Sequence, residues 1–195
     1  VSKTSVGMTL AQFYLNTYLK SGLIPNMKGN KRITRLERFN YMSQKASAKE
    51  RLDVFQIALE TLENDFGTWK TTWGSFNRYQ RNNGAIFQTF DDDKESLPVG
   101  MASGTWGALA SYGTRFGKDT KRQYGVAGNS FVAVVEFGEK LRAKSMLAGG
   151  QSGDPKSPHF DDQSKRYVNG TFKNVAFYRD DVEKRAITTY HPGEK

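Results

Sequence analysis

Ser152, His159 and the neighbouring carboxyls of Asp161 and Asp162 stand within one eleven-residue run and hold the residue types of a serine-hydrolase triad. In such a triad an imidazole takes the proton of the attacking hydroxyl while a carboxylate orients the ring. The spacing argues against a local triad. Triad members are assembled from distant segments, and a nucleophile elbow reads G-x-S-x-G. Gly150-Gln151-Ser152-Gly153-Asp154 lacks the final glycine. The competing reading is that Ser152 and Gln151 hydrogen-bond otherwise unpaired backbone in a buried loop. A metal site built from His159 with Asp161, Asp162 or His191 is a weak alternative, because the chain has two histidines, 32 residues apart. Asp91, Asp92 and Asp93 lack the alternating oxygens of a cation loop and read as a solvated turn. No metal and no cofactor is expected.

The elements around these residues read as strand, rigid polar loop, short helix and stop. An apolar run, Phe131 to Ala148, leads into Gly149, Gly150 and Gly153, expected to take backbone angles closed to other residues. Asp154-Pro155 and Ser157-Pro158 hold the chain extended or turning. Ser157 before Pro158 has the order of an N-cap and first helical residue, and Asn169-Gly170 supplies the stop.

GGQSGDPKSPHFDDQ (Gly149 to Gln163) resembles the loop near the C-terminus of the catalytic subunit in the penicillin acylase family. That family includes penicillin, cephalosporin and acyl-homoserine-lactone acylases. Upstream, YGVAGNSFVAVVEFG (Tyr124 to Gly138) is similar to the family's late core strands, and FGTWKTTWGSFNRYQR (Phe66 to Arg81) to its WG segment. RYVNGTFKNVAFYRDDV resembles its closing strand and short helix. The likeness covers roughly the last two-thirds of the chain; the first 45 residues fit loosely.

The resemblance implies an α+β fold, part of the αββα sandwich of N-terminal-nucleophile hydrolases. It implies an amidase that splits a linear amide, a β-lactam side chain or an N-acyl-homoserine lactone, with an N-terminal serine whose own α-amino group is the base. Residue 1 is Val, and neither the family's nucleophile segment nor its oxyanion Asn is found here. No catalytic residue is carried over. Gly150, Gln151, Ser152, Gly153, Pro158, His159, Asp162 and Gln163 are assigned to the family loop in a structural role. Residues 1–195 are expected to form a single piece of a larger catalytic subunit, mainly helical over 1–90 and mainly antiparallel β over 97–195. The partners implied are the rest of that subunit, its smaller chain and a small acyl amide substrate. The family also implies a periplasmic or secreted location.

Composition sets outer bounds. The 195 residues suffice for a real core, although hydrophobic content is 37% and mean hydropathy −0.66. Thirteen Phe, nine Tyr and three Trp point to an aromatic-rich core. The absence of cysteine excludes disulfides, thiolate chemistry and Cys-based zinc sites. No stretch approaches the roughly 20 apolar residues of a membrane span. The net charge of +9 keeps a second class in view, a non-catalytic module for nucleic acid or another anion. Its candidates are the dense segment Lys28 to Arg38 and the aromatics interleaved with Lys70, Arg78 and Arg81, although a solvated loop and a core segment are the blander readings. A third reading is a complete enzyme using Ser152 and His159.

Along the chain, residues 8 to 20 read as an amphipathic helix stopped at Gly22, and Leu23 to Lys45 as irregular. Ser47 and Glu50 form a capping box for a helix over Ala48 to Asp65, with Leu52, Phe55, Leu59, Leu62 and Phe66 as its buried stripe and Gly67 as its end. Ser130 to Phe137, apolar on both faces, reads as a strand central in a layered core, with Leu141 to Ala148 as its hairpin partner. Thr171 to Tyr178 reads as a further strand, Asp180 to Arg185 as one or two helical turns, and Ile187 to Tyr190 as a last strand.

Overall fold

A computed structural model describes residues 1–22, 27–28, 31–81, 89–102, 106 and 112–184. Ile187 to Tyr190 and His191, Gly104 and Gly107, and the side chains of Lys28, Lys31, Arg32 and Arg35 lie outside the described residues. The architecture is α+β, with mostly antiparallel sheets, and divides into two compact units, Val1–Gly128 and Asn129–Lys195. Among the described residues, no helix is long and apolar enough to cross a membrane.

In the first unit, helix α1 (Val6–Lys20) is capped by Ser5, whose Oγ accepts from the Met8 amide at 3.1 Å. The two-residue strands β1 (Met27–Lys28) and β2 (Lys31–Arg32) pair antiparallel. Part of the stretch expected to be irregular is helical: α2 spans Arg35–Gln44. Thr34 and Glu37 cap it reciprocally, the same S/T-x-x-E signal that marks the next helix. Helix α3 (Ala48–Phe66) has the expected Ser47–Glu50 box and ends at Gly67, at φ +75°. Its buried line is only partly the expected one: Leu62 is fully buried and Phe66 packs against the core, but Leu52 and Phe55 are exposed. Val54, Ala58 and Leu62 face the core, whereas Leu52 is 66% exposed. Successive i, i+4 steps and the small Ala58 let α3 lie close along α1.

The core joins Phe13, Ala58, Leu62, Trp73, Phe76 and Ala102, with a second cluster around Leu15, Tyr18 and Val54. Phe13 and Phe76 meet edge to face at 4.9 Å. The interleaved aromatics thus divide: Trp73 and Phe76 are buried, while Trp69 remains partly exposed beside Lys70. The short helix α4 (Trp73–Phe76) feeds strand β3 (Asn77–Tyr79). With β4 (Leu97–Pro98), β5 (Tyr112–Phe116) and β6 (Gln123–Gly128) it forms a sheet in the order β4-β3-β6-β5. Only β3–β6 is parallel among its pairs. The first residues run over Gly74 and Gly100. A Cβ at Gly100 would lie 2.5 Å from the Val1 carbonyl oxygen, and Gly74 N–H donates to Lys3 O at 2.7 Å.

The acidic run is not merely solvated. Tyr124, fully buried and stacked on Phe90 at 4.8 Å, donates its hydroxyl to Asp92 Oδ1 at 2.7 Å. Asp92 Oδ2 accepts from the Lys121 amide, and the Arg122 guanidinium donates to the Asp92 carbonyl.

In the second unit, β7 (Phe131–Glu136), β8 (Arg142–Leu147) and β9 (Lys173–Val175) form an antiparallel sheet in that order. The hairpin partner is as expected, and β9 is shorter than expected. The placement of β7 is corrected: among the described residues it is an edge strand, with Phe131 57% and Val134 60% exposed. A run apolar on both faces marks what a strand can bury, not what lies next to it. Helix α5 (Ser164–Asn169) ends at Gly170, at φ +64°, and α6 (Arg179–Glu183) follows.

Burial, then the Asp92 contact, raises the Tyr124 hydroxyl far above the ordinary 10.0. Because the unfolded chain surrenders this proton first, the resulting stability is present below about pH 10 and is lost as pH rises beyond it. Tyr124→Phe is expected to lower stability by roughly 1–3 kcal/mol at neutral pH. It should also flatten the alkaline fall, read as the difference between the two unfolding-versus-pH curves.

Candidate functional site

The loop from Gly149 to Gln163 closes on itself. At its neck Gln163 N–H donates to Gly149 O at 2.9 Å, and Ser164 Oγ reaches the Ala148 carbonyl just beyond β8. One step inside, Gly150 lies against the backbone of His159 and Phe160. A Cβ there would come within 1.9 Å of the His159 carbonyl oxygen. Ser152 N–H then donates to that same carbonyl at 3.1 Å. A compact surface loop with adjoining ends, held by its own groups, is an Ω-loop.

The glycines are needed for a different reason from the one expected. Gly149, Gly150 and Gly153 all lie outside the positive-φ region; proximity makes Gly150 glycine, and a Cβ at Gly153 would meet open space. The helix start also differs. Ser157 Oγ accepts from His159 N–H at 3.2 Å, closing a turn around Pro158, and α5 begins only at Ser164 after Gln163. A hydroxyl bonding two residues ahead competes with helix initiation. Asp161 takes up the next turn, accepting from Ser164 at both its carbonyl and its carboxylate.

The proposed triad members are only partly brought together. His159 Nδ1 and Asp162 Oδ2 stand 3.2 Å apart, with side chains 64% and 36% exposed. A pair so exposed contributes little to stability. Ser152 Oγ is occupied otherwise, accepting from Asp154 N–H at 3.1 Å, and among the described residues no hydrogen bond joins it to the imidazole. Asp154 Oδ1 in turn accepts from Lys156 N–H. Gln151 is exposed, whereas Gln163 is buried under the loop. Among the described residues no three His, Asp or Glu side chains converge as a metal set would.

The first unit carries a separate open cleft of about 640 Å³ between α1, α3 and the β5–β6 turn. Phe13 and Phe116 line it, and its rim mixes Lys20, Lys118 and Lys121 with Asp65. Lys121 pairs with Asp65 at 4.0 Å, and Lys20 lies 6.0 Å above the Phe116 ring. Arg78, a candidate for anion binding, is turned inward. Its Nε donates to Ser96 Oγ and its Nη1 to Gly74 O, both at 3.0 Å, and Nη2 bonds Ser96 O. Burial, and then the nearby Arg122, hold its pKa below the ordinary guanidinium value.

Comparison with known families decides what this arrangement belongs to. The family model described as Penicillin amidase matches residues 1–184. The chain belongs to the penicillin amidase family. The match takes in the loosely fitting first 45 residues as well as the loop, covering all of the first unit of this penicillin amidase family chain and the second as far as Lys184. No curated protein matches the chain. At family level the chain is that of an acylase-like amidase.

Some residues important to the scaffold carry no signal in the sequence. Asn77 is fully buried and bonds three partners, yet it reads as an ordinary polar residue at a strand start. Gly150 was legible as a special glycine, but its contact lies nine residues away. Gly150→Ala is expected to open the loop, exposing 151–162 to protease and removing hydrogen-exchange protection of the Ser152 amide. Gly153→Ala, with free space for its methyl, should stay within about 0.5 kcal/mol of the parent in thermal unfolding.

Proposed function

We propose that this chain is a C-terminal scaffold portion of the catalytic subunit of a penicillin-acylase-like amidase, and that the nucleophile lies outside it. The family match over residues 1–184 carries this reading. The intact enzyme would hydrolyse a linear amide in an acyl substrate of the β-lactam side-chain or N-acyl-homoserine lactone type. An activated hydroxyl would attack the carbonyl, and preorganised donors would hold the oxyanion. The two units would contribute to an αββα sandwich, in a protein exported to the periplasm or beyond.

Two observations support a scaffold role. The described Ser, His and Asp side chains of the loop are spent on its own turns, with Ser152 Oγ bound to backbone. On α3, Leu52, Phe55 and Ile57 are exposed, apolar surface that the remainder of the subunit or its smaller chain would cover. An anion-binding module is less well supported, because Arg78 spends its donors internally.

The test is hydrolysis of an acyl p-nitroanilide by the 195-residue chain and by the longer subunit that contains it. The chain alone should match the blank, and the longer subunit with a free N-terminal serine should turn over. Turnover by the chain alone, lost in a folded Ser152→Ala variant, would refute the scaffold reading.

A further inference from the structure

We propose that the Asp154–Pro155 peptide bond is a cleavage site at which the Asp154 carboxyl severs its own chain, and that the two pieces stay assembled. Residue order is the first argument. Asp154–Pro155 is the one Asp–Pro step in the sequence. An aspartate carboxyl can attack its own main-chain carbonyl carbon, because the ring that closes has five members. The competing reaction, attack of the next backbone nitrogen on the side chain, needs an N–H that proline lacks. The proline nitrogen, once released, is a basic secondary amine and leaves readily when protonated.

The loop then arranges this bond. Ser157 N–H donates to Asp154 O at 3.0 Å, closing a β-turn with Asp first and Pro second, the positions each favours. That donor bonds the oxygen that becomes negative under attack. Asp154 Oδ1 accepts from Lys156 N–H at 2.9 Å, which folds the carboxyl over the turn that contains the bond. Gly153 to Lys156 are exposed, so water reaches it. Of the loop's other charged side chains, His159 pairs with Asp162 and Asp161 bonds Ser164. Among the described residues, none forms an ion pair with Asp154.

The step balances with one water. Asp154 Oδ2, outside the Lys156 hydrogen bond, bonds to the Asp154 carbonyl carbon. The C–N bond breaks and the Pro155 nitrogen takes a proton, so cleavage quickens as pH falls. A cyclic anhydride is left on Asp154, and water opens it to two carboxyls. Contacts that hold the pieces cross the break. Strand β9 pairs with β8 from Ala143–Val175 to Ser145–Lys173, and α5 packs against β8. Gln163 N–H to Gly149 O and Ser152 N–H to His159 O also span it.

The test is incubation of the 195-residue chain from neutral pH to the most acidic buffer in which circular dichroism shows it folded. Parallel samples are unfolded in urea. Denaturing mass spectrometry should show one piece ending at Asp154 and one beginning at Pro155, together heavier than the parent by one water. They should form several-fold faster in the folded chain. A folded Asp154→Asn variant, which keeps the acceptor for Lys156, should cut at a small fraction of the parent rate. Without denaturant, the nicked chain should elute with the intact 22.0 kDa chain in size exclusion. No cut in any buffer, equal rates in folded and unfolded chain, or undiminished cutting of Asp154→Asn would overturn the cleavage site. Separation of the pieces without denaturant would overturn their assembly.

Discussion

The first unit depends on a single buried amide. Asn77 sits where α4 becomes β3, and its Nδ2 donates to Val99 O at 2.9 Å and Met101 O at 2.8 Å. Its Oδ1 accepts from Gln123 Nε2 at 3.0 Å. One side chain therefore ties the strand between its neighbours to the segment after β4 and to β6. The bonds to Val99 and Gln123 lie in the interior, where an unpaired amide or carbonyl carries its full desolvation penalty, and the bond to Met101 is partly buried. Trp73 and Phe76, on the preceding turn, can fill the core only because this junction fixes where the turn ends.

The second unit solves a related problem with proximity. Polar loop backbone must find partners, and the Gly149–Gln163 loop finds most of them within itself. The absence of a side chain at Gly150 lets two stretches of backbone meet, and the His159 carbonyl becomes an anchor for the Ser152 amide. This organisation accounts for the serines and aspartates that tempt a catalytic reading. They are the residues whose side chains best close short turns.

What the sequence made legible was local. The Ser47–Glu50 box and Gly67 marked α3, and the Phe131–Leu147 hairpin followed from β formers about a turn. Thr34–Glu37 carries the same signal for α2, set beside a dense basic run that reads equally as a solvated loop. Two apolar lines share α3 and meet at Leu62, and only the neighbour α1 decides between Leu52 and Val54. The same holds for β7: a strand's composition does not reveal which neighbours it has. The run of glycines is plain in the sequence, yet the reason for Gly150 requires knowing where the His159 carbonyl lies.

The parallel pairing of β3 with β6 joins Asn77 to Gln123 across 46 residues, whereas β7 and β8 meet across a tight turn. Synthesis runs from the first residue at about 5–20 residues per second. The earlier-made unit must therefore wait, with Asn77 and its aromatic neighbours unsatisfied, until β6 leaves the ribosome. The later-made hairpin can close almost as soon as it emerges. Order of birth and order of completion are thus nearly compressed together in this chain, and the first unit is the one that needs protection while it waits.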